Sequence, residues 1–168
     1  MKPLIIDSEI TLIPYYPNYD TALPWYQDLD VCRQVDNIDC TYSLERLQKM
    51  YSFLSTHGDC FYIQYQGVLV GDVTLRNDQE VCIVVCKDGP RKSCRHRIDQ
   101  EVCIVVCKDF QNKRIGRRCI LKMIELAKEK RMDQITAEIY PFNTQSQKMF
   151  LSIGFIKTGE ETYTYQLS

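Results

Sequence analysis

The sequence predicts an α/β (α+β) domain, and three stretches carry that prediction. An apolar strand ending in Val105 and Val106 runs through a polar turn into a helix. In that helix Ile115, Cys119, Ile120, Met123, Ile124 and Ala127 recur at helical spacing, so one face is buried. Upstream, Phe61, Ile63 and Tyr65 alternate with Cys60, Tyr62 and Gln64 as a strand, and a Gln66-Gly67 turn joins it to a second strand over 68–75, giving a hairpin. Downstream, a short helix over 143–153 is stopped by Gly154 and followed by two closing strands.

The remaining elements follow in order. Residues 10–14 form a short first strand. Asp20 is positioned to cap a helix through Leu23, Trp25, Tyr26 and Leu29, with Pro24 within its first turn. Ser43 can cap a second helix, in which Leu44, Leu47, Tyr51 and Leu54 form an apolar stripe and Gly58 ends it. After the long amphipathic helix comes a strand over 134–140. Strands over 155–158 and 162–167, around a turn at Gly159, close the chain.

Composition narrows the function classes. The 168 residues suffice for one domain with a real core. With 45% hydrophobic and 26% charged residues and a net charge of −1, nothing global points to nucleic acid or a membrane as partner. Met1-Lys2-Pro3-Leu4-Ile5-Ile6-Asp7 contains no long apolar run, so neither a signal peptide nor a transmembrane helix is expected there. Nine cysteines without such signals imply a reducing, cytoplasmic setting in which the thiols act as small hydrophobes.

The chemistry is concentrated where the strand of Ile104, Val105 and Val106 meets the long helix. The connecting turn is Gln111-Asn112-Lys113-Arg114-Ile115-Gly116-Arg117. Orphan N–H groups and the positive dipole end point back toward the strand's exit, which suits a pyrophosphate. Lys113, Arg114, Arg117 and Arg118 add cations where they oppose the dipole, a concentration tolerable if an anion sits among them. This run resembles the cofactor-binding signature of the GNAT N-acetyltransferase superfamily, Gln/Arg-x-x-Gly-x-Gly/Ala, with Arg114 in place of the first glycine. The segment from Asn143 through Ser146 and Phe150 to Gly154-Phe155 is similar to the same family's Asn-x-x-Ala/Ser-x-x-x-Tyr-x-x-x-Gly-Phe element. The order of elements, strand, two helices, three strands, helix, strand, helix, strand, matches that family over nearly the whole chain. The resemblance implies the GNAT fold, a central mixed, mostly antiparallel sheet flanked by about four helices.

What the resemblance implies for activity is transfer of an acetyl group from acetyl-CoA, as co-substrate, to the amine of a small molecule or peptide. The phosphates would lie on the turn from Gln111 to Arg117. The backbone of Ile104, Val105 and Val106 would pair with pantetheine, one N–H polarising the thioester carbonyl. The helix carrying Asn143, Ser146 and Phe150 would pack against the pantetheine arm. Glu101 stands where many relatives carry the carboxylate that deprotonates the amine. A solvated strand-end glutamate explains Glu101 equally, and Glu138 is a second candidate. The family's usual acid, a tyrosine, is replaced by Phe150. Tyr140 or Ser146 would then protonate the thiolate, or it leaves unassisted. Tyr15, Tyr16, Trp25, Tyr26, Asp36, Tyr42, Tyr163 and Tyr165 are candidates for an acceptor pocket, and ordinary packing explains them as well. The rival from another class is a non-catalytic acyl-CoA-binding module on the same fold.

One feature stands outside the resemblance. Residues 78–88 recur identically as 99–109, so 78–98 read as a duplicated segment. Only the second copy runs directly into Phe110 and the turn, and it is therefore expected to hold the central strand. The first copy is expected to be an added edge strand, a looped-out hairpin or a segment exchanged with a second molecule in a homodimer. The repeated Cys82/Cys86 and Cys103/Cys107, with Cys94 and His96, imitate ligand spacing. Strand residues four apart lie about 13 Å apart, too far to share a zinc, and no metal is expected.

Overall fold

A computed structural model describes residues 1–76 and 102–167. The chain opens with β1 (Leu4–Ile5) and β2 (Ile10–Pro14), then α1 (Tyr19–Ala22), a 3₁₀ helix (Leu23–Gln27), α2 (Leu29–Asp36) and α3 (Leu44–His57). The hairpin β3 (Gly58–Tyr65) and β4 (Val68–Arg76) follows, then β5 (Val102–Val106), a 3₁₀ turn (Lys108–Phe110) and α4 (Ile115–Glu129). The chain closes with β6 (Gln134–Glu138), α5 (Thr144–Ile153), β7 (Ile156–Lys157) and β8 (Thr162–Gln166).

Capping chemistry sets most helix boundaries. Ser43 Oγ accepts from the Arg46 N–H at 3.2 Å and starts α3 as expected. Gly154 ends α5 in a left-handed conformation (φ 116°), and the N–H groups of Gly154 and Phe155 bond back to Leu151 and Phe150. The single helix expected from Asp20 through Leu29 is instead two pieces, α1 and the 3₁₀ helix, and Leu29 opens a further helix that was not expected. Asn18, not Asp20, precedes α1, and Pro24 interrupts the helical hydrogen bonding. Asp28 then begins α2 afresh by accepting from the Asp30 and Val31 N–H groups at 2.8 and 3.2 Å. In α3, Leu47 and Tyr51 are buried, but Leu44 lies outside the stripe and is exposed.

The sheet separates two cores. Strands β1 to β5 form one antiparallel sheet in sequence order, and β6, β8 and β7 form a second. On one face Ile10, Leu12, Phe61, Ile63, Val73 and Leu75 pack under α4 and α5. On the other, Cys60, Tyr62 and Val105 meet Trp25, Tyr26, Val31, Leu47 and Tyr51. Strand alternation therefore explains the buried pattern of β3: odd residues serve one core and even residues the other. The six apolar residues that marked α4 in the sequence are its buried residues.

The strand beside β4 is the second copy of the duplicated run, with Val106 opposite Gly71, Val105 opposite Asp72 and Ile104 opposite Val73. It continues directly into the turn before α4. The first copy, 78–88, lies outside the described residues, as do Glu101 and the 89–98 spacer with Cys94 and His96. Strand β6 approaches β5 across the α4 crossover, yet no ladder joins them among the described residues. Among the described residues the expected central sheet is thus split in two, and β5 has one bare edge.

Candidate functional site

The bare edge can be resolved residue by residue. The Cys107 N–H donates to the Val70 carbonyl at 2.8 Å, which makes that opposed pair a hydrogen-bonded one. Antiparallel alternation then directs the backbone of Val105 toward β4 and that of Ile104 and Val106 toward the bare edge. Of the three residues expected to offer backbone groups at this edge, Val105 is committed to its neighbouring strand, and its side chain is buried in the second core. The Gln111 amide donates to the Val106 carbonyl at 3.0 Å and to Gln34 Oε1 at 3.2 Å, so it braces the end of the edge against α2.

The turn beyond it curls around Lys113, with left-handed residues at Asn112 (φ 63°) and Arg114 (φ 60°). Arg114 precedes α4, which has no side-chain cap. The N–H groups of Ile115, Gly116 and Arg117 are those that no helical carbonyl reaches, and they face out of the helix end. A Cβ built on Gly116 would lie 3.3 Å from Met149 Sδ and 3.8 Å from Ile104 Cδ1, so this helix start is pressed against both α5 and β5. The glycine of the family pattern that Arg114 replaces belongs at a left-handed position. Arg114→Gly is accordingly expected to stabilise the fold by about 0.5–1 kcal/mol, measurable as a higher urea midpoint.

The cations divide by partner. Arg118 turns away to Asp7 and Glu9 at 2.9 and 2.8 Å, locking α4 to the N-terminal strands. Arg117 donates to Ser152 Oγ at 2.6 Å, and Lys113 lies over the Phe110 ring at 4.8 Å. Both stay near the helix end. On the α5 side, Asn143 Oδ1 caps the helix by accepting from the Ser146 N–H at 3.2 Å. Gln145 ties α5 to the turn by donating to Asn112 Oδ1 at 2.7 Å. Phe150 is only 3% exposed and packs edge-on against Phe155 at 4.9 Å. It belongs to the core beneath the site rather than to the cleft lining. Tyr140 stacks parallel on Phe142 at 5.7 Å, and Glu138 is exposed at the end of β6.

A cavity of about 240 Å³ opens beside Gln111. Its walls include Asp30, Arg33 and Gln34 of α2, Lys108 and Gln111 after β5, and Phe142 after β6. Lys108 pairs with Asp30, and that hydrogen bond holds the Asp30 carboxyl below its ordinary range. None of the aromatics expected around an acceptor lines this cavity. Trp25, Tyr26 and Tyr42 fill the second core, Tyr163 the first, and Tyr42 and Arg46 hold Asp36. Sequence reasoning missed α2 as a wall because the helix it expected from Asp20 ended at Leu29, where α2 begins.

It also missed Asp72. This carboxylate is 3% exposed and accepts from the Tyr26 and Tyr51 hydroxyls at 2.8 and 2.7 Å. The lone acid in the apolar run of β4 was the available signal. Burial pushes its pKa up to about 6, against the two tyrosine hydrogen bonds that lower it. Tyr62 and Cys60 also face it, both with pKa values raised chiefly by burial. The folded state therefore holds this proton more tightly than the unfolded chain. Asp72's contribution to stability is fully present below pH 3.8 and is lost as pH rises through about 6. Urea unfolding of Asp72→Asn across that interval should lack this decline.

Among the described residues no cluster of His, Cys, Asp or Glu could hold a metal ion, and no helix is long and apolar enough to cross a membrane. No curated protein matches the chain. Solved structures share its fold. A GNAT-family acetyltransferase from Bacillus anthracis is 15% identical, with 95% of this chain and 96% of that one covered at a TM-score of 0.71. The yncA protein of Salmonella typhimurium, solved with its cofactor acetyl-CoA, is 18% identical over 96% and 95% at 0.68. The microcin C7 self-immunity acetyltransferase MccE, in complex with acetyl-CoA and AMP, is 14% identical over 96% and 94% at 0.71. The model of the acetyltransferase (GNAT) family matches residues 22–155, most of the chain. With that match, an uncapped helix start beside a bare strand edge acquires its family context: the chain belongs to the GNAT acetyltransferases.

Proposed function

We propose that the protein moves the acetyl group of acetyl-CoA to a primary amine of a small molecule or peptide, by direct attack in a ternary complex. The observation that carries this reading is the junction of β5 and α4. There the outward backbone groups of Ile104 and Val106 adjoin the unpaired N–H groups of Ile115, Gly116 and Arg117. The two sets suit the two ends of one ligand, amides of pantetheine along the strand and a pyrophosphate at the helix start. Asn112, Lys113 and Arg114 shape and charge the turn between them. Asn143 and Ser146 form the start of α5 alongside. The cavity between α2 and the end of β5 adjoins the phosphate end of this ligand.

In the reaction the amine nitrogen bonds the acetyl carbon as the carbon–sulfur bond breaks. The nitrogen gives up its proton and CoA leaves as a thiolate. We assign Glu101, which directly precedes β5, as the base. We assign Tyr140, which follows β6, as the donor to the sulfur. A thiol pKa near 8.5 makes unassisted departure a workable second route. Most of the acceleration would come from positioning the two substrates. The setting assigned is the cytoplasm, where free thiols such as Cys32, Cys60 and Cys119 persist.

A second reading, a non-catalytic acyl-CoA-binding module, is favoured by one observation: the residue where the family's acid stands is a buried phenylalanine. Thiol release from acetyl-CoA, measured with spermidine, tyramine, free serine and a short peptide with a free amino terminus, separates the two. Amine-dependent release supports the enzyme. Binding of acetyl-CoA with no release above buffer for any amine supports the module.

A further inference from the structure

A partly exposed carboxylate far away in sequence reaches both flanks of the turn before α4. Glu9 lies between β1 and β2, and its two oxygens serve different elements. Oε2 accepts from Arg118 Nη1 at 2.8 Å. Oε1 accepts from Gln66 Nε2 at 2.9 Å and from the Tyr65 hydroxyl at 3.3 Å. The Gln66 N–H also donates to the Glu9 carbonyl at 2.8 Å, so the β3–β4 turn is fastened to this residue by main chain and side chain.

What stands behind each oxygen frames the proposed anion site. On the helix side, the Arg118 N–H donates to the Arg114 carbonyl at 3.2 Å, the hydrogen bond that closes the first turn of α4. Ile115, Gly116 and Arg117, with their unpaired N–H groups, are the residues between those two. On the strand side, the Tyr65 ring meets Phe110 edge-on at 6.1 Å, and Lys113 lies over the two rings at 5.9 and 4.8 Å. Asp7 supplies only half of this arrangement. Its Oδ2 also takes Arg118 at 2.9 Å, but its Oδ1 is occupied by the Glu9 and Ile10 N–H groups of its own turn.

We propose that Glu9 is a positioning residue for the diphosphate: it fixes the helix start through Arg118 and the preceding turn through Tyr65, at the spacing the anion needs. It acts through those two side chains and not by touching the coenzyme. The inference rests on the diphosphate lying at the start of α4. The sign of its effect is distinctive. The hydrogen bond from Arg118 holds the Glu9 carboxyl below its ordinary range, so it is ionised at neutral pH. Electrostatics alone then sets Glu9 against a nearby anion, since removing it deletes a negative charge and frees a guanidinium. A positioning role predicts the reverse.

In calorimetry with CoA, Glu9→Ala should lower affinity by about tenfold, the scale of one hydrogen bond lost to the diphosphate. Asp7→Asn and Tyr65→Phe each release one flank, and each should lower it by a smaller factor. KM for acetyl-CoA follows the same order, while kcat and KM for the amine with the fastest release in the panel above stay unchanged. Gly67→Ala is the control: it strains the same β3–β4 turn without removing a contact of Glu9, and it keeps the CoA affinity of the unsubstituted protein. Should Glu9→Ala fail to fold, the double variant Asp7→Asn with Tyr65→Phe releases one contact on each flank and is expected to reproduce its loss. Unchanged or tighter CoA binding by Glu9→Ala, or an equal loss in Gly67→Ala, overturns the proposal. If the unsubstituted protein binds no CoA, the coenzyme reading itself falls and this inference with it.

Discussion

Gly116→Asp is expected to abolish useful binding of CoA while leaving the melting temperature at or above that of the unsubstituted protein. The two effects have opposite signs because one feature serves both. The first turn of α4 exposes N–H groups without a side-chain cap. A carboxylate placed there stabilises the helix by about 0.3–1 kcal/mol through its dipole. The steric demand is small, since the nearest atom to the new Cβ, at 3.3 Å, is the flexible thioether of Met149. The same carboxylate occupies the position proposed for a pyrophosphate and repels it. Calorimetry at low salt should show CoA affinity lowered by about 100-fold or more, roughly 2.7 kcal/mol. CoA bound with unchanged affinity by Gly116→Asp would show that the diphosphate does not sit at this helix end.

Gly71→Ala is expected to cost about 2–4 kcal/mol of stability and to weaken CoA binding with it. A Cβ at this position would collide with the Val105 carbonyl oxygen and lie 3.0 Å from Val106 Cα. These are backbone atoms, so β5 itself must move rather than a side chain. Displacing β5 shifts Ile104 and Val106, whose outward backbone groups form the proposed pantetheine edge. Gly67→Ala is the matched control. That turn residue has φ 83° and no atom within 4 Å of its hypothetical Cβ. Its cost should be confined to backbone strain, about 1 kcal/mol, with CoA affinity unchanged. Urea unfolding and calorimetry on both variants check the contrast, and Gly71→Ala unfolding at the wild-type midpoint would mean that the β4–β5 contact is not this close.

How much of this was legible in advance depended on the range of the interactions involved. The buried face of α4, the Ser43 cap, the Gln66-Gly67 turn and the Gly154 stop were readable because each is set by residues within a few positions of one another. The same locality misled at Asp20. A plausible cap there hid the stronger one at Asp28 and, with it, the helix that walls the cavity. Aromatic residues near the expected acceptor region looked like lining, yet Tyr26, Tyr42 and Trp25 are consumed by the second core. Composition cannot tell a ring that faces a ligand from one that faces another ring.

By itself, then, the amino-acid sequence determined the order of strands and helices from α3 onward, the location of the strand–turn–helix junction, and the family to which that junction belongs. Those depend on periodicity, caps and short motifs, which are local along the chain. The tertiary structure alone decided that β5 keeps a bare edge among the described residues, that Arg118 is spent on Asp7 and Glu9 rather than on the turn, and that Asp72 is buried between Tyr26 and Tyr51. Each of these outcomes is a competition among partners far apart in sequence, and only the packed sheet with its two cores settles which partner is within reach.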